Sequence, residues 1–527
     1  MDRQLNVRRL LEETVSRNPS EPYLIWAPED TVWTYEQFNT EVDRAAAVWH
    51  ALGVRKGDRV SFMLDNRPEF LFAWFGLAKL GAILVAINTG FGASEAGYLV
   101  QDSESRLALV GDDYLELFQQ IQAKSDSLQQ VLSVGATEGY DSYLEMAASA
   151  APDAPGVDLE GDDVISLIYT SGTTGRPKGV MQTHRNFAFT GQAYPRWMGI
   201  ATGDRIYACL PLFHINSQAY STMGAIGAAG AIVLSPRFSA SRFWPEVRRH
   251  RVNVFNFIGA MTVILSKKEP SPDDADNDVK VAYGVPALPE DVRLDIEQRF
   301  GLKVISGFGM SETTFGLVEP LDDTRKPGSM GVPRHHPDPS VPRTEARIVD
   351  DDGQDVVDGT TGELLLRNAA MMQGYFNDPE RTREALDDEG WLHTGDSAWR
   401  DQDGFYFFVD RKKDIVRRRG ENVSSLEVER VINEHDAVFE SAVLGVASEL
   451  TDEDILVFVV LREGRQVTPR EIISWCQERL AKFKIPRYVE FVDALPKTPT
   501  SKIEKHRLRE NPASPDRFDD ESSSPRA

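Results

Sequence analysis

The chain has 527 residues, a formal charge of −24 with histidine neutral, and 41% hydrophobic and 27% charged residues. That length exceeds one ordinary core and favours three or four structural units at roughly 150 residues each. The composition is that of a globular protein rather than a disordered or fibrous one, and the acidic balance argues against nucleic acid or an anionic membrane as the main partner, since both repel it.

Cysteine usage points the same way. Cys209 and Cys476 are far apart in sequence, so a disulfide framework is not expected and a reducing, cytoplasmic compartment is. At the N-terminus Leu5, Val7, Leu10, Leu11 and Val15 suit an amphipathic helix packed on the protein, with no apolar export core. Residues 70–87, FLFAWFGLAKLGAILVAI, approach the length of a membrane span with one charge at Lys79. Gly81 divides that run into a helix ending near Leu80 and a short buried strand, so no membrane span is expected.

Further along, short β-rich runs alternate with helical patterns. RVSFML (59–64), ILVAI (83–87), LALVG (107–111), QVLSVG (130–135), VISLIYT (164–170), RIYACL (205–210), AIVLS (231–235), VNVFNFI (252–258) and KVISGF (303–308) read as strands. Helical stretches lie between many of them, for example Tyr35–Leu52 and Pro289–Phe300. This alternation predicts an α/β fold, mostly parallel with helices on its faces. From about Thr344 short strands separated by DDDG and DQDG turns predict a more antiparallel, barrel-like section. After Asp410 a compact α+β pattern follows: helix SSLEVERVINEH, strands ESAVLGVA and ILVFVVL, helix TPREIISWCQERLAKF and strand YVEFVDAL. The polar tail NPASPDRFDDESSSPRA predicts disorder from Asn511.

The strongest local signal is VISLIYTSGTTGRPKGV, a buried strand running into a loop of glycines, hydroxyls, Arg176 and Lys178. Glycines let backbone wrap a ligand closely, hydroxyls and amides donate hydrogen bonds, and the cations supply charge, which together suit a polyphosphate. Its spacing is not that of a Walker loop. A polar turn is the plainer reading of such a composition; the complete string carries the stronger one.

YTSGTTGRPKGV resembles the phosphate-binding signature of the adenylate-forming enzymes, which include acyl-CoA synthetases, peptide-synthetase adenylation domains and luciferases. Six more segments resemble that family's motifs in order: PLFHINSQ (211–218), YGVPA (283–287), GFGMSETT (307–314), WLHTGD (391–396), FVDRKKDIV (408–416) and PKTPTSKIEK (496–505). The resemblance covers roughly residues 5 to 510. It implies a large N-terminal domain, 1–409, binding ATP and acid, a small mobile C-terminal domain, 410–510, and a tail, 511–527.

The resemblance also implies site residues. Thr170, Ser171, Gly172, Thr173, Thr174, Gly175 and Lys178 would hold ATP phosphates. Gly284, Val285, Pro286, Gly307, Phe308, Gly309, Met310 and Ser311 would flank the nucleotide. Asp396 would accept from the ribose hydroxyls, and Arg411 would hold the ribose or phosphate side. Glu312, with Thr174, would bind Mg²⁺, which prefers hard oxygens. Lys502 would bridge the carboxylate and the α-phosphate as a long-stemmed point charge, and His214 would orient the carboxylate or gate an acyl pocket of Phe213, Ile258 and Gly259. Asp410 would be the hinge, with Gly420, Glu421 and Arg419 on the CoA side. The sequence departs from the usual pattern at Ser501 for Gly, Ser311 for Thr and Phe308 for Tyr, and at Arg417–Arg419, where Gly commonly precedes Gly420.

The implied reaction brings an anion to an anion, so positioning and charge neutralisation dominate it. A carboxylate attacks the ATP α-phosphorus, pyrophosphate leaves, and a thiol then displaces AMP. The Phe213–Asn216 segment lacks the carboxylate that would hold an amino-acid ammonium, and no appended carrier domain with a phosphopantetheine serine is expected. Both observations favour an acid:CoA ligase over a peptide-synthetase module. The remaining alternatives are a ligase delivering to a carrier-protein thiol and a non-enzymatic AMP-binding regulator, against which Glu312, Asp396, Arg411 and Lys502 argue. LDNRPEFLFAWFGLAKLGAILVAIN, FVDRKKDIVRRRGENVSSLEVE and AKFKIPRYVEF are similar to crotonobetaine/carnitine-CoA ligases. One or more of Arg417–Arg419 would meet a CoA phosphate when the small domain rotates. If the acid is a betaine, Trp197, Tyr194 and Phe255 are candidates by location for a cage around its ammonium. The partners are thus a small-molecule acid, ATP and CoA, with Mg²⁺ and without nucleic acid; a homodimer is left open.

Overall fold

The computed structural model describes residues 5–170, 177–322, 324–412, 414–418, 421–448, 453–497, 503–510 and 517–520, apart from the side chains at 260, 263, 417, 421 and 422. Lys502, Gly420, Arg419 and the loop Ser171–Arg176 therefore lie outside the described residues. The chain divides into two compact units, 1–346 with 365–393 and 403–407, and 347–364 with 394–402 and 408–527.

The first unit contains two sheets where the sequence pattern indicated parallel strands. One has seven strands in the order Asp141–Ser142, Gln130–Ser133, Leu107–Val110, Arg59–Met63, Ile83–Ala86, Val164–Thr170 and Lys178–Thr183. All its pairings are parallel except the last, a hairpin. The other has nine, in the order Val332–Pro333, Thr313–Val318, Lys303–Met310, Val281–Val285, Val254–Ile258, Arg205–Ala208, Ala231–Leu234, Pro22–Trp26 and Thr31–Thr34. Its middle is parallel and its edges antiparallel.

Side-chain alternation sorts each strand between two cores. Ile206, Ala208, Ile232, Leu234 and Val254 join the central core with Phe62, Leu84 and the helices Tyr35–Ala51, Pro68–Leu80 and His184–Met198. Tyr207, Val233, Phe255 and Phe257 face the opposite core with Phe243, Trp244 and Phe300. The helices are thus shared by both sheets, which is why Pro68–Leu80 is buried along nearly its whole length. Gly81 ends it in the left-handed conformation, φ 67°, and the strand Ile83–Ala86 follows. Lys79 is buried but paired, to Asp43 at 2.5 Å and Asn39 at 2.8 Å. No helix among the described residues is long and apolar enough to cross a membrane.

A four-stranded sheet, Glu345–Val349, Gly362–Arg367, Leu392–Arg400 and Tyr406–Arg411, follows in sequential order. The second unit ends in a sheet of Val438–Ala447, Glu453–Leu461, Tyr488–Phe491 and Phe518–Asp519. Helices Ser425–Asn433 and Pro469–Gln477 cover the face carrying Val443, Val457 and Val459. Two expectations change here. The second helix stops at Gln477, because Ala481 is extended (ψ 147°) and opens a separate 3₁₀ turn, Lys482–Lys484. Within the tail expected to be disordered, the described residues 517–520 contribute an edge strand: Phe518 pairs with Val489, Arg517 bonds Glu490 at 3.0 Å, and Arg487 bonds Asp519 at 2.8 Å.

Candidate active site

In the first unit, the strands that flank the loop signature pair as a hairpin. Thr170 and Lys178 are its closing pair, so the ends of the loop are set by strand register. The Lys178 ammonium lies 4.0 Å from the centroid of the Tyr375 ring. The Tyr375 hydroxyl donates to Glu312 Oε1 at 2.8 Å. Glu312 is only 5% exposed, and its Oε2 makes no hydrogen bond among the described residues. Burial pulls the Lys178 pKa down, and the Glu312 carboxylate opposes that shift. Burial, reinforced by Glu312, pushes the Tyr375 phenol up, so it stays a proton donor.

Glu312 is placed by a tight turn between the antiparallel strands Lys303–Met310 and Thr313–Val318. Gln182 Nε2 donates to the Ser311 carbonyl at 2.5 Å, and the Met372 amide donates to the Glu312 carbonyl at 2.7 Å. The turn is therefore tied to the loop hairpin and to the segment bearing Tyr375. Gly309 lies against a buried hydroxyl: a Cβ there would sit 2.9 Å from Tyr220 Oη, too close for any side chain. Tyr220 belongs to a cluster with Tyr194 and Tyr283, its ring centroid 5.1 Å from the first and 5.6 Å from the second.

At the carboxyl ends of the parallel strands Arg205–Ala208, Val254–Ile258, Val281–Val285 and Lys303–Met310, a belt of side chains stays half-exposed amid buried neighbours. It comprises His214, Asn216, Ile258, Val285 and Phe308–Ser311. Open α/β sheets bind ligands at this edge. Gly259 lies in the same belt, Gly284 is buried and Pro286 is exposed. Phe213 is buried, its ring centroid 4.7 Å from that of His214.

The second unit holds Asp396 and Arg411. Asp396 is 2% exposed, and Arg411 Nε meets its Oδ1 at 2.8 Å. Asp410 is buried at the N-terminus of helix Ser425–Asn433. Its Oδ2 accepts from the Ser425 amide at 2.6 Å, Ser425 Oγ at 2.7 Å and Ser424 Oγ at 3.3 Å, which suits an anion at a helix start. Lys505 Nζ donates to Ser425 Oγ at 2.5 Å and pairs with Glu429 at 2.7 Å. Lys497 and Ile503 form an antiparallel bridge, so both ends of the segment containing Lys502 are anchored.

Residues 11–376 match the family described as AMP-binding enzyme, and residues 427–502 match its C-terminal domain. The chain belongs to the AMP-binding enzyme family. It is 35% identical to a crotonobetaine/carnitine–CoA ligase of Salmonella heidelberg over 491 residues, 90% of this chain and 93% of that one. Among solved structures it resembles an anthranilate CoA ligase in complex with anthranoyl-AMP, with TM-score 0.86, 28% identity and 97% of each chain covered. It also resembles a benzoate CoA ligase from Burkholderia xenovorans LB400, with TM-score 0.84, 25% identity, and 96% of this chain and 100% of that one covered.

In this AMP-binding enzyme the tertiary structure brings together Lys178 and Glu312 from segments 134 residues apart in the chain. It separately brings together Asp396 and Arg411. Tyr375 escaped the sequence reading because GYFNDPE (374–380) matches none of the motifs quoted above; its one signal is a bulky aromatic following Gly374, φ 137°. Two individual candidates are removed. Arg418 cannot meet a CoA phosphate: it is 1% exposed and bonds Asp454 at 3.1 Å and the Ile485 carbonyl at 2.5 Å. Phe255 cannot share a cage with Tyr194, because strand alternation turns it into the opposite core, while Trp197 packs on Phe315 at 5.0 Å.

Proposed function

We propose that this AMP-forming acid:CoA ligase works on a small or medium carboxylic acid held at the carboxyl edge of the nine-stranded sheet. In the first step an acid oxygen bonds to the α-phosphorus of ATP and pyrophosphate leaves. In the second the CoA sulfur, having lost its proton, bonds to the acyl carbon and AMP leaves. The observation that carries this reading is the Lys178–Tyr375–Glu312 constellation, in which a cation and a carboxylate are held on one aromatic at the end of the loop hairpin. Lys178 supplies charge to the phosphates, and the buried tyrosine keeps both groups in place before ATP arrives, so little reorganisation is needed during reaction.

The residues present fit Mg²⁺. Glu312 offers one hard carboxylate oxygen, and no cluster of three or more His, Cys, Asp or Glu among the described residues could hold a metal ion. Magnesium commonly takes one or two carboxylates and completes its shell from phosphates and water. Glu312, with Thr174, would hold it, and it would neutralise phosphate charge. Asp396 is assigned to the ribose hydroxyls, Arg411 to the ribose or phosphate side, His214 to the acid and Lys502 to the carboxylate and α-phosphate. Asp410 is assigned as the pivot between large and small domains, with Gly420, Glu421 and Arg419 toward CoA.

Pyrophosphate release tests the reading, measured with an acid panel, ATP and Mg²⁺, with and without CoA. Acid-dependent pyrophosphate together with acyl-CoA is the expected result. Pyrophosphate without acyl-CoA would transfer the reading to a carrier-protein ligase, and none with any acid would remove it.

A further inference from the structure

The half-exposed belt contains one amide whose orientation is set from beneath. Asn216 opens a π-helical turn, Asn216–Thr222, two residues beyond His214. Its Oδ1 accepts from Asn256 Nδ2 at 3.0 Å. The second hydrogen of Asn256 Nδ2 goes to Ser221 Oγ at 3.0 Å, and Asn256 Oδ1 accepts from the Tyr194 hydroxyl at 2.5 Å. Both Asn256 amide hydrogens and its oxygen are thereby engaged.

This order cannot be reversed without loss. Tyr194 is fully buried, and Asn256 Oδ1 is its hydroxyl's only acceptor among the described residues. Turning the Asn256 amide around would leave a buried phenol proton facing an N–H, and burying an unmade hydrogen bond is costly. Tyr194 is itself held between Tyr220 and Tyr283. The tyrosine therefore orients Asn256, and Asn256 turns the oxygen of Asn216 inward. An amide has its NH₂ on the opposite side from its oxygen, so Asn216 Nδ2, which makes no hydrogen bond among the described residues, is the group left for the crevice.

Resting on the reading that acids bind at this edge, we propose that Asn216 is a specificity residue whose NH₂ donates to an acceptor oxygen in the acyl part of the substrate. The preferred acids then carry a carbonyl or hydroxyl oxygen along the chain, in contrast to plain hydrocarbon acids. A side chain fixed as a donor leaves its hydrogens unmatched against a hydrocarbon and repels an ammonium at the same point, so discrimination is built into the empty site.

The test compares isosteric acids: hexanoate, its 3-, 4- and 5-oxo derivatives, and 4-aminohexanoate as the donor-only counterpart. At least one oxo acid should exceed hexanoate in kcat/KM by about tenfold or more. Asn216→Leu should collapse that ratio, and Asn216→Asp, which replaces a donor by an acceptor, should shift preference toward the ammonium acid. If Asn216→Leu proves inactive, the Asn216→Asp reversal decides alone, since a damaged fold does not reverse a preference. Equal rates for hexanoate and every oxo acid, or a ratio unchanged in both variants, would overturn the proposal. Absence of pyrophosphate with every acid would instead strike the ligase reading itself.

Discussion

Tyr375 joins Glu312 to Lys178: its hydroxyl donates to Glu312 Oε1 at 2.8 Å while its ring lies 4.0 Å from the lysine ammonium. One side chain thus sets the spacing of a cation on one strand and an anion in the turn between two others.

Tyr375→Phe keeps the ring and removes the hydrogen bond. Bonds to charged groups are worth about 1.5–3 kcal/mol, so kcat/KM for ATP should fall roughly tenfold to hundredfold. The loss should appear with a higher Mg²⁺ requirement and an almost unchanged melting temperature. Pyrophosphate release titrated with Mg²⁺ measures both; a drop in melting temperature with normal kinetics would make Tyr375 a packing residue only.

Lys502→Ala should abolish acyl-adenylate formation and spare thioester formation from supplied acyl-adenylate. Equal loss in the two half-reactions would contradict the assignment of Lys502.

Lys505 ties the stretch after Lys502 to helix Ser425–Asn433 through Ser425 and Glu429, at 2.5 and 2.7 Å. Lys505→Met should lower adenylation several-fold more than thioester formation, and Lys505→Arg should restore part of it. Identical losses in both half-reactions would reduce Lys505 to a stability role.

Arg418 and Asp454 form a buried ion pair. Truncating one partner strands the other charge, at a cost of about 3–5 kcal/mol. Arg418→Ala should therefore lower the melting temperature of the second unit and speed its proteolysis, whereas the KM for CoA of the folded fraction should hold.

His184 is buried, accepts from the Val7 amide at 3.4 Å, and has its pKa lowered by burial to about 4 from an ordinary 6.5. A depressed value means the neutral form is favoured on folding. Its contribution is complete above pH 6.5 and is lost as pH falls toward about 4, by roughly 3 kcal/mol in all. Melting temperature measured from pH 7.5 to 4.5 should fall steeply, and His184→Asn should flatten the slope. An unchanged slope would show that His184 does not titrate on unfolding.

Much of this protein was legible before folding. Strands such as Val164–Thr170 were readable because period-two or fully apolar runs are local properties of the chain. Gly81 marked its helix end for the same reason. The motif residues Lys178, Glu312, Asp396 and Arg411 were readable as strings. Other features required the tertiary structure. The division of the parallel strands between two sheets depends on pairings between distant segments, which no local pattern encodes. Tyr375 acquires its role from a contact across 63 residues. Arg418, read as a candidate anion contact, is removed from solvent by Asp454 and a distant carbonyl. The Asn216 amide has a direction only because a buried tyrosine on another element needs an acceptor. The sequence by itself determined which chemical groups are present and the local form of the chain around them. Tertiary structure decided which of those groups meet, which are buried and which way they point, because those outcomes depend on distances that only packing sets.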